Sequence, residues 1–375
     1  MHDKSPNKVI SLEILRFLAA FCVMVEHQIA FMGSQNISKP GRFLHGFNLP
    51  PDLPVLFFFV LSGFVMMTAH GQDFGKIHQI PRFVWRRFCR IYPLYWLSLP
   101  VWLYFLWPTL QAPHYLTKIF TLYPFQTTIE ELNSPAWSLR FEISFYLMFA
   151  ISFLPYIGRL WLAAWIVLVF WNWFPGLFIF HAVTAATGWH PIIPVAVRWH
   201  FFGIHEFYFF AGLGAGVAYR RLHWPNFALW LLLALSFAAI IKLLSRSSWG
   251  FAYPSVNDTP VIAVAIAVCI FSLSALERSQ ALRIGRWGAR LGDMSYPLYI
   301  FHPVIIFLML MAFGYHPAWR QACWPFPLFA LYLATTLPLT AAITFLIDRP
   351  LQRALRNIDF RAFSRPHQPR AQPRV

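Results

Sequence analysis

Residues 12–32 read LEILRFLAAFCVMVEHQIAFM, an apolar run that is interrupted by Arg16, Glu26 and His27. A helix needs about 20 predominantly apolar residues to cross the hydrocarbon core of a bilayer. A charged side chain at the centre of such a helix costs roughly 2.5 to 3.5 kcal/mol on insertion scales, and it normally faces the interior of a helical bundle. The run therefore predicts a membrane helix whose polar groups face the interior of a helical bundle.

The composition of the whole chain also indicates a membrane protein. Of its 375 residues, 58% are hydrophobic and 12% are charged, which is too apolar for an ordinary soluble domain. We predict an all-α, polytopic membrane helical bundle with about ten transmembrane helices. The predicted spans are residues 11–31, 53–70, 91–107, 139–155, 160–175, 204–219, 226–244, 260–276, 294–313 and 326–347. The stretch 177–187, LFIFHAVTAAT, fits a surface helix, a re-entrant helix or an eleventh span.

The positive charge follows the predicted topology. Cytoplasmic loops of membrane proteins collect Lys and Arg. If the N-terminus is inside the cell, the predicted cytoplasmic segments hold 21 of the 30 Lys and Arg residues. We therefore expect a multi-pass protein of the cell's inner membrane with both termini in the cytoplasm. The net charge of +16 has this explanation, so we expect no nucleic-acid partner.

Arg16 and His27 are eleven residues apart in the first predicted helix. At about 100° and 1.5 Å per residue, they share one face and lie about 16 Å apart along the axis. Glu26 points about 100° away from His27, so it is not automatically its partner. One interpretation is that Arg16 reaches the headgroups and His27 is a hydrogen-bonded interior residue. The other is that Arg16 binds an anionic donor and His27 transfers protons.

Five further landmarks follow in order along the chain. They are VLFFFVLSGFVM (55–66), RRFCRIYPLYWLSL (86–99), NSPAWSLRFEISFYLMF (133–149), LGDMSYPLYIFHPVI (291–305) and LIDRPLQRAL (346–355). With the first helix, this order resembles the acyltransferase-3 family over residues 10–355. The resemblance implies an enzyme of many spans that moves acyl groups, usually acetyl, from cytoplasmic acyl-CoA to hydroxyl groups of the cell envelope. It also implies one transmembrane domain, residues 1–355. The composition of residues 356–375 predicts a basic, disordered cytoplasmic tail.

The family's functional residues map onto matching positions. The resemblance implies that His27 is catalytic and that Arg16 is its basic companion in the first helix. The family's arginine pair in the first cytoplasmic loop matches Arg87 and Arg90, and the acidic residue after WSL matches Glu142. Asp348 stands where the family more usually has Glu, so no role is assigned to it.

The chemistry of acyl-CoA gives these residues physical roles. The donor is a polyanion, and the planar fork of arginine can donate two parallel hydrogen bonds to phosphate. Arg86, Arg87 and Arg90 would form a cationic mouth, although the positive-inside rule alone also explains them. We expect Asp293, near the cytoplasmic end of its helix, to organise these arginines.

The thioester lies at the end of a thin arm of the donor, far from the phosphates that the arginines would bind. At that end, His27 would accept the proton of the attacking hydroxyl. We expect Glu142, predicted near the outer face, to orient the imidazole, although a carboxylate near a helix end is also a common cap or arginine partner. Four candidate oxyanion donors are Ser62, Ser138, Ser295 and Tyr296. Direct transfer and transfer through an acylated side chain both remain open at this stage.

Other features complete the expectations. His200, His205 and Glu206 are poorly spaced for a metal, because positions i and i+5 diverge by about 140° on a helix. His302 is interpreted as structural or as part of the acceptor side.

We expect acetyl-CoA or another acyl-CoA as donor and an envelope polysaccharide or glycolipid as acceptor. We also expect contact with the bilayer and no metal; the oligomeric state is undetermined. The alternatives are a proton-coupled transporter that uses His27 and Glu142 as a relay, or an inactive scaffold.

Overall fold

A computed structural model describes most of the chain. It covers residues 9–34, 53–106, 113–123, 135–174, 178–188, 195–246, 258–285, 287–309, 311–312 and 325–356. These residues form helices joined by turns, and no β-strand occurs among them. The predicted all-α class is therefore confirmed. The predicted tail lies, apart from Arg356, outside the described residues.

The helices follow one another in a simple order. They are α1 (Ile10–Ser34), α2 (Leu53–His70), α3 (Ile80–Leu106), α4 (Pro113–Thr121), α5 (Ala136–Ile151), α6 (Gly158–Trp173), α7 (Phe178–Thr187), α8 (Val195–Phe201), α9 (Glu206–Arg221), α10 (Asn226–Arg246), α11 (Thr259–Arg278), α12 (Trp287–Met309), α13 (Pro325–Ala342) and α14 (Arg349–Arg356). A short 3₁₀ turn precedes α3, and a π-helical segment, Ile343–Asp348, joins α13 to α14.

The helix lengths are those of an integral membrane protein. Five helical segments within the described part of the chain are long and apolar enough to cross a membrane. They are Leu53–His70, Asn226–Leu243, Thr259–Arg278, Trp287–Met309 and Pro327–Leu355. Each of the ten predicted spans overlaps a helix, although the count of ten stays a prediction. With ten residues, α7 is about 15 Å long and cannot cross a core of about 30 Å alone.

The third helix begins earlier than the sequence predicted. The span was expected from residue 91, with the preceding basic residues in a loop, but α3 begins at Ile80 and is 27 residues long. It continues through Pro93 and Pro100, which membrane helices tolerate better than soluble ones. Arg87 and Arg90 therefore occupy fixed positions on its early turns.

Glycines let two pairs of helices approach closely. A Cβ atom at Gly63 of α2 would collide with the carbonyl oxygen of Phe209 in α9, and one at Gly212 would collide with that of Val60. On α12, a Cβ at Gly292 would collide with the carboxylate of Glu13 in α1. Small residues at such positions allow backbone contact between membrane helices. The close approach of α1 and α12 brings polar groups of both helices together.

Several helix ends meet at one end of the bundle. The carboxylate of Glu277, at the end of α11, accepts hydrogen bonds from the backbone N–H groups of Ile10 (2.7 Å) and Ser11 (2.8 Å). Arg278 donates to the carbonyl oxygens of Tyr219 and Leu222, the latter at 2.9 Å. The ends of α9 and α11 therefore lie beside the start of α1.

The same end includes the start of α3 and the end of α14. Arg220 of α9 donates to the carbonyl oxygen of Met67 in α2 at 3.3 Å. The indole of Trp85 donates to the carbonyl oxygen of Leu355 at 3.1 Å. These are the helix ends that the charge pattern assigns to one side of the membrane. Their grouping agrees with the predicted topology, and the side they face stays a prediction.

Candidate functional site

A cavity of about 600 Å³ lies among α1, α2, α3, α5, α12 and the junction between the π-helical segment and α14. This volume is within the range of pockets that hold cofactors and small ligands. Its lining is unusually rich in charge for the interior of an apolar bundle. The charged lining residues are Arg16, Arg87, Arg90, Arg349, Arg353, Glu13, Glu142, Asp293 and Asp348.

Arg16 extends from α1 into this cavity. Its Nη1 atom lies 3.5 Å from Oε1 of Glu13, one helical turn earlier. The Nε atom of Arg16 is buried and has no hydrogen-bond acceptor among the described residues. A buried donor without an acceptor costs about 1 to 3 kcal/mol of stability. An anionic ligand in the cavity would remove this cost by accepting a hydrogen bond from Nε of Arg16.

Arg87 and Arg90 enter the cavity from α3 and lie over tyrosine rings. The Cζ atom of Arg87 is 5.3 Å from the ring centre of Tyr146, and that of Arg90 is 5.3 Å from the ring centre of Tyr296. Cation–π contacts of this kind are favourable, and they hold the guanidinium groups at the cavity wall. Arg86 is exposed and does not line the cavity. Two of the three arginines predicted for the cationic mouth are therefore brought together.

Glu142 lies with the arginines and makes no contact with His27 among the described residues. It accepts a hydrogen bond from the hydroxyl of Tyr146, one turn further along α5, and interacts electrostatically with Arg16 and Arg90. The structure shows Glu142 with Tyr146 and the arginines, and the expectation that it orients His27 stays a prediction. The sequence predicted how deep in the membrane Glu142 lies, but it did not predict which neighbouring helix the second turn of α5 faces.

Asp293 pairs with an arginine that the sequence did not single out. Its Oδ2 atom accepts a hydrogen bond from Nε of Arg349 at 3.0 Å and a second one from Nη2. Arg349 and Arg353 are one turn apart on α14, and Asp348 precedes them at the end of the π-helical segment. The structure thus pairs Asp293 with Arg349, and its expected role in organising Arg86, Arg87 and Arg90 stays a prediction.

The last described helix, α14, and the π-helical segment before it therefore contribute cavity residues that the sequence did not predict. Asp348 was assigned no role, yet it lines the cavity and interacts electrostatically with Arg90. The spacing of Arg349 and Arg353 in LIDRPLQRAL places both on one helical face, and this was the available signal. π-helical turns often occur at functional sites. No pattern in the sequence predicts the π-helical segment that precedes α14.

The four candidate oxyanion donors all line the cavity. The hydroxyl of Tyr296 donates to the carbonyl oxygen of Ile91 at 2.7 Å, and that of Ser295 to Gly292 at 2.7 Å. Ser138 lies 2.7 Å from the hydroxyl of Tyr299. Of the four, the hydroxyl of Ser62 has no hydrogen-bond partner in the described part of the chain. Ser62 is therefore the candidate whose hydroxyl is available to a ligand.

His27 lies beside the cavity lining and pairs with another histidine. Its Nδ1 atom is 2.9 Å from Nε2 of His302, which is completely buried on α12. Its Nε2 atom is 3.7 Å from a carboxylate oxygen of Glu26. Tyr299, which lines the cavity, has its ring centre 6.3 Å from that of His302. The histidine pair thus adjoins the Tyr299 end of the cavity, a pairing that the sequence did not reveal.

His200 and His205, which the sequence analysis considered as metal ligands, are part of an aromatic core. His200 and His205 are buried, and their ring centres lie 5.0 and 4.3 Å from that of Phe141. Among the described residues, no group of three histidine, cysteine or acidic side chains is arranged to hold a metal ion.

Comparison with known proteins adds a family. The acyltransferase domain family model, Acyl_transf_3, matches residues 9–345. Acyltransferase MdmB of Streptomyces mycarofaciens is 31% identical over 181 residues, which are 42% of this chain and 44% of that protein. Protein 2 in picA locus of Rhizobium radiobacter is 33% identical over 100 residues, 26% of this chain and 46% of that protein. These matches span less than half of either relative, and no solved structure matches.

Proposed function

The chain belongs to the Acyl_transf_3 family of acyltransferases, and from this premise we propose that it moves an acyl group, acetyl in the simplest case, from cytoplasmic acyl-CoA to a hydroxyl group of an envelope polysaccharide or glycolipid. Its membrane helices would keep it in the inner membrane, with both termini in the cytoplasm. This arrangement places a soluble cytoplasmic donor and an envelope acceptor on opposite sides of one enzyme.

One observation carries the donor assignment. A cavity within an apolar bundle is lined by five arginines and four carboxylates, and the buried Nε atoms of Arg16 and Arg87 have no acceptor among the described residues. Acyl-CoA is polyanionic, and arginine is well suited to phosphate because its donors form a planar fork. We assign the nucleotide part of the donor to these arginines and the thioester to the Tyr299 end, beside His27.

The proposed reaction is a direct acyl transfer. His27 accepts the proton of the acceptor hydroxyl as its oxygen attacks the thioester carbonyl, and a C–O bond forms. The C–S bond then breaks, and the departing thiolate takes the proton back from the imidazolium. The hydroxyl of Ser62 is proposed to stabilise the oxyanion between these events. The products are an ester and free CoA, and His27 returns to its starting state.

The first experiment tests the base. Purified protein in detergent is given acetyl-CoA with water as acceptor, and release of the CoA thiol is followed. We expect His27→Ala to lower turnover by about 100-fold or more, because positioned general bases contribute roughly 10² to 10⁴ in rate. Acetyl-CoA binding should remain within about threefold, which is under 1 kcal/mol.

The control is His78→Ala, which removes an exposed histidine and should leave turnover unchanged. Equal turnover in the His27 and His78 variants would exclude His27 as the base. A wild-type protein that neither binds nor turns over acyl-CoA would contradict the donor assignment. The acceptor is tested separately, by comparing envelope glycans of a deletion strain and its parent by mass; an unchanged acylation pattern would contradict that assignment.

A further inference from the structure

We infer that His302 is a positioning residue that fixes the tautomer of His27, so that Nε2 of His27 is the atom that accepts the proton. The inference rests on the proposed function of His27 as the base. It concerns the contact between Nδ1 of His27 and Nε2 of His302, at 2.9 Å, and the contacts that His302 makes on its other side.

The direction of the hydrogen bonds follows from the far side of His302. Its Nδ1 atom lies 3.0 Å from the carbonyl oxygen of Leu298, one helical turn earlier on α12. A carbonyl oxygen only accepts, so Nδ1 of His302 must carry the hydrogen. A neutral imidazole has one N–H group, and therefore Nε2 of His302 is an acceptor. His27 must then donate from Nδ1, which leaves the lone pair on its Nε2 atom.

The sequence FHPV strengthens this assignment. Pro303 has no backbone N–H group, so the carbonyl oxygen of Tyr299 lacks the donor that an α-helix normally supplies four residues later. This carbonyl also interacts with the His302 ring. Backbone acceptors therefore favour a hydrogen on the His302 ring, and the 3.0 Å contact with the carbonyl oxygen of Leu298 places it on Nδ1. The ring is completely buried, where a neutral imidazole costs far less than a charged one.

This arrangement leaves the other nitrogen of His27 ready for chemistry. After Nε2 accepts a proton, the imidazolium donates from Nδ1 to His302 and has the carboxylate of Glu26 3.7 Å from Nε2. Both contacts favour the charged intermediate, and the proton then leaves from Nε2 to the thiolate. His302 keeps its own hydrogen on Nδ1 throughout. Without His302, the proton of neutral His27 could occupy Nε2, and the base would be lost in that fraction.

The direct test observes the tautomer. Full-length protein with ¹⁵N-labelled histidine is examined by NMR, where protonated and bare ring nitrogens have well-separated shifts. The signals of His27, among the 14 histidines, are identified by their absence in the His27→Ala spectrum. We expect hydrogen on Nδ1 and none on Nε2 at neutral pH. Hydrogen found mainly on Nε2 would overturn the inference, whatever the activity shows.

Two substitutions then separate positioning from packing. His302→Leu fills the space without an acceptor, and His302→Gln restores an acceptor oxygen. We expect the leucine variant to lose about 100-fold in kcat with an unchanged KM for acetyl-CoA, and the glutamine variant to recover most of the loss. His78→Leu is the control at an exposed position and should keep wild-type kcat.

The outcomes distinguish this inference from the proposed function. Wild-type kcat in the leucine variant, or equal losses with leucine and glutamine, would reduce His302 to a packing residue. If the leucine variant does not fold, the wild-type tautomer and the glutamine variant decide. If the wild type turns over no acyl-CoA, the proposed function fails, and the nitrogen spectrum still decides the tautomer.

Discussion

Arg86 and Arg87 show how helix rotation decides the role of a single residue. They are neighbours in sequence, but about 100° separates them on α3. Arg87 lies over the Tyr146 ring in the cavity, whereas Arg86 is exposed. Arg90 follows one turn later and reaches the same cavity from beside Tyr296. The basic run in the sequence thus divides into donor-binding candidates and a surface charge.

This division predicts different kinetics for the three arginines. Arg87→Ala and Arg90→Ala should each raise the KM for acetyl-CoA by about tenfold or more, because a charge-assisted hydrogen bond contributes roughly 1.5 to 3 kcal/mol. Arg86→Ala is the matched control, with the same charge removed from the same helix. The measurement is initial rate against acetyl-CoA concentration. If the KM values of the Arg87 and Arg90 variants equal that of the Arg86 variant, these two arginines do not bind the donor and serve only the membrane topology.

At the scale of helices, contacts between backbones set the positions of side chains. Gly63 and Gly212 let α2 and α9 approach until an added Cβ atom would meet a carbonyl oxygen of the partner helix. Helices cannot relax from such a collision by turning a side chain. The same device on α12, at Gly288 and Gly292, admits side chains of α1. The contacts at Gly288 and Gly292 bring α1 and α12, the helices that carry His27 and His302, close together.

Alanine substitutions test this packing directly. Gly63→Ala and Gly212→Ala should each lower stability by about 1 to 3 kcal/mol, the usual range for overpacking, although alanine favours the helix itself. Gly214→Ala is the control on α9, since nothing lies within 4 Å of its Cβ position. Thermal unfolding in detergent is the measurement. A Gly212→Ala protein as stable as Gly214→Ala would show that α2 and α9 do not pack this closely.

The start of α1 gives a second test at this scale. The carboxylate of Glu277 accepts hydrogen bonds from two otherwise unpaired N–H groups at this helix end, those of Ile10 and Ser11. Losing a capping acceptor costs about 0.5 to 2 kcal/mol. Unfolding temperatures should fall in the order wild type, Glu277→Gln, Glu277→Ala, because glutamine keeps one acceptor oxygen. Identical temperatures would mean that this cap contributes nothing to stability.

For the whole molecule, the arrangement of helix ends accounts for the charge pattern. Hydrogen bonds of Glu277, Arg278 and Arg220 join the ends of α2, α9 and α11 to the start of α1. The cavity arginines Arg87, Arg90 and Arg349 belong to segments that begin at this same end. A donor from the cytoplasm would therefore reach them without crossing the bundle, provided that this end faces inward.

Cysteine labelling tests that orientation. Cysteine is introduced separately at Tyr156, which is 98% exposed, and at Thr187, which is exposed at the end of α7. A membrane-impermeant maleimide should label position 156 only in inverted vesicles and position 187 only in right-side-out vesicles. Controls are the protein without added cysteines and permeabilised vesicles, where both sites should react. The opposite pattern would place the termini outside the cell and remove the proposed route for the donor.

The sequence by itself determined the class of the protein, because apolar runs of spanning length and a biased distribution of Lys and Arg are local properties of a chain. It also identified Arg16 as a costly charge within an apolar run, and the family resemblance singled out Arg87 and Arg90, all of which line the cavity. Only the tertiary structure decided the partners. Contacts such as His27 with His302, or Asp293 with Arg349, depend on how helices far apart in sequence rotate and approach, and no local pattern records that geometry.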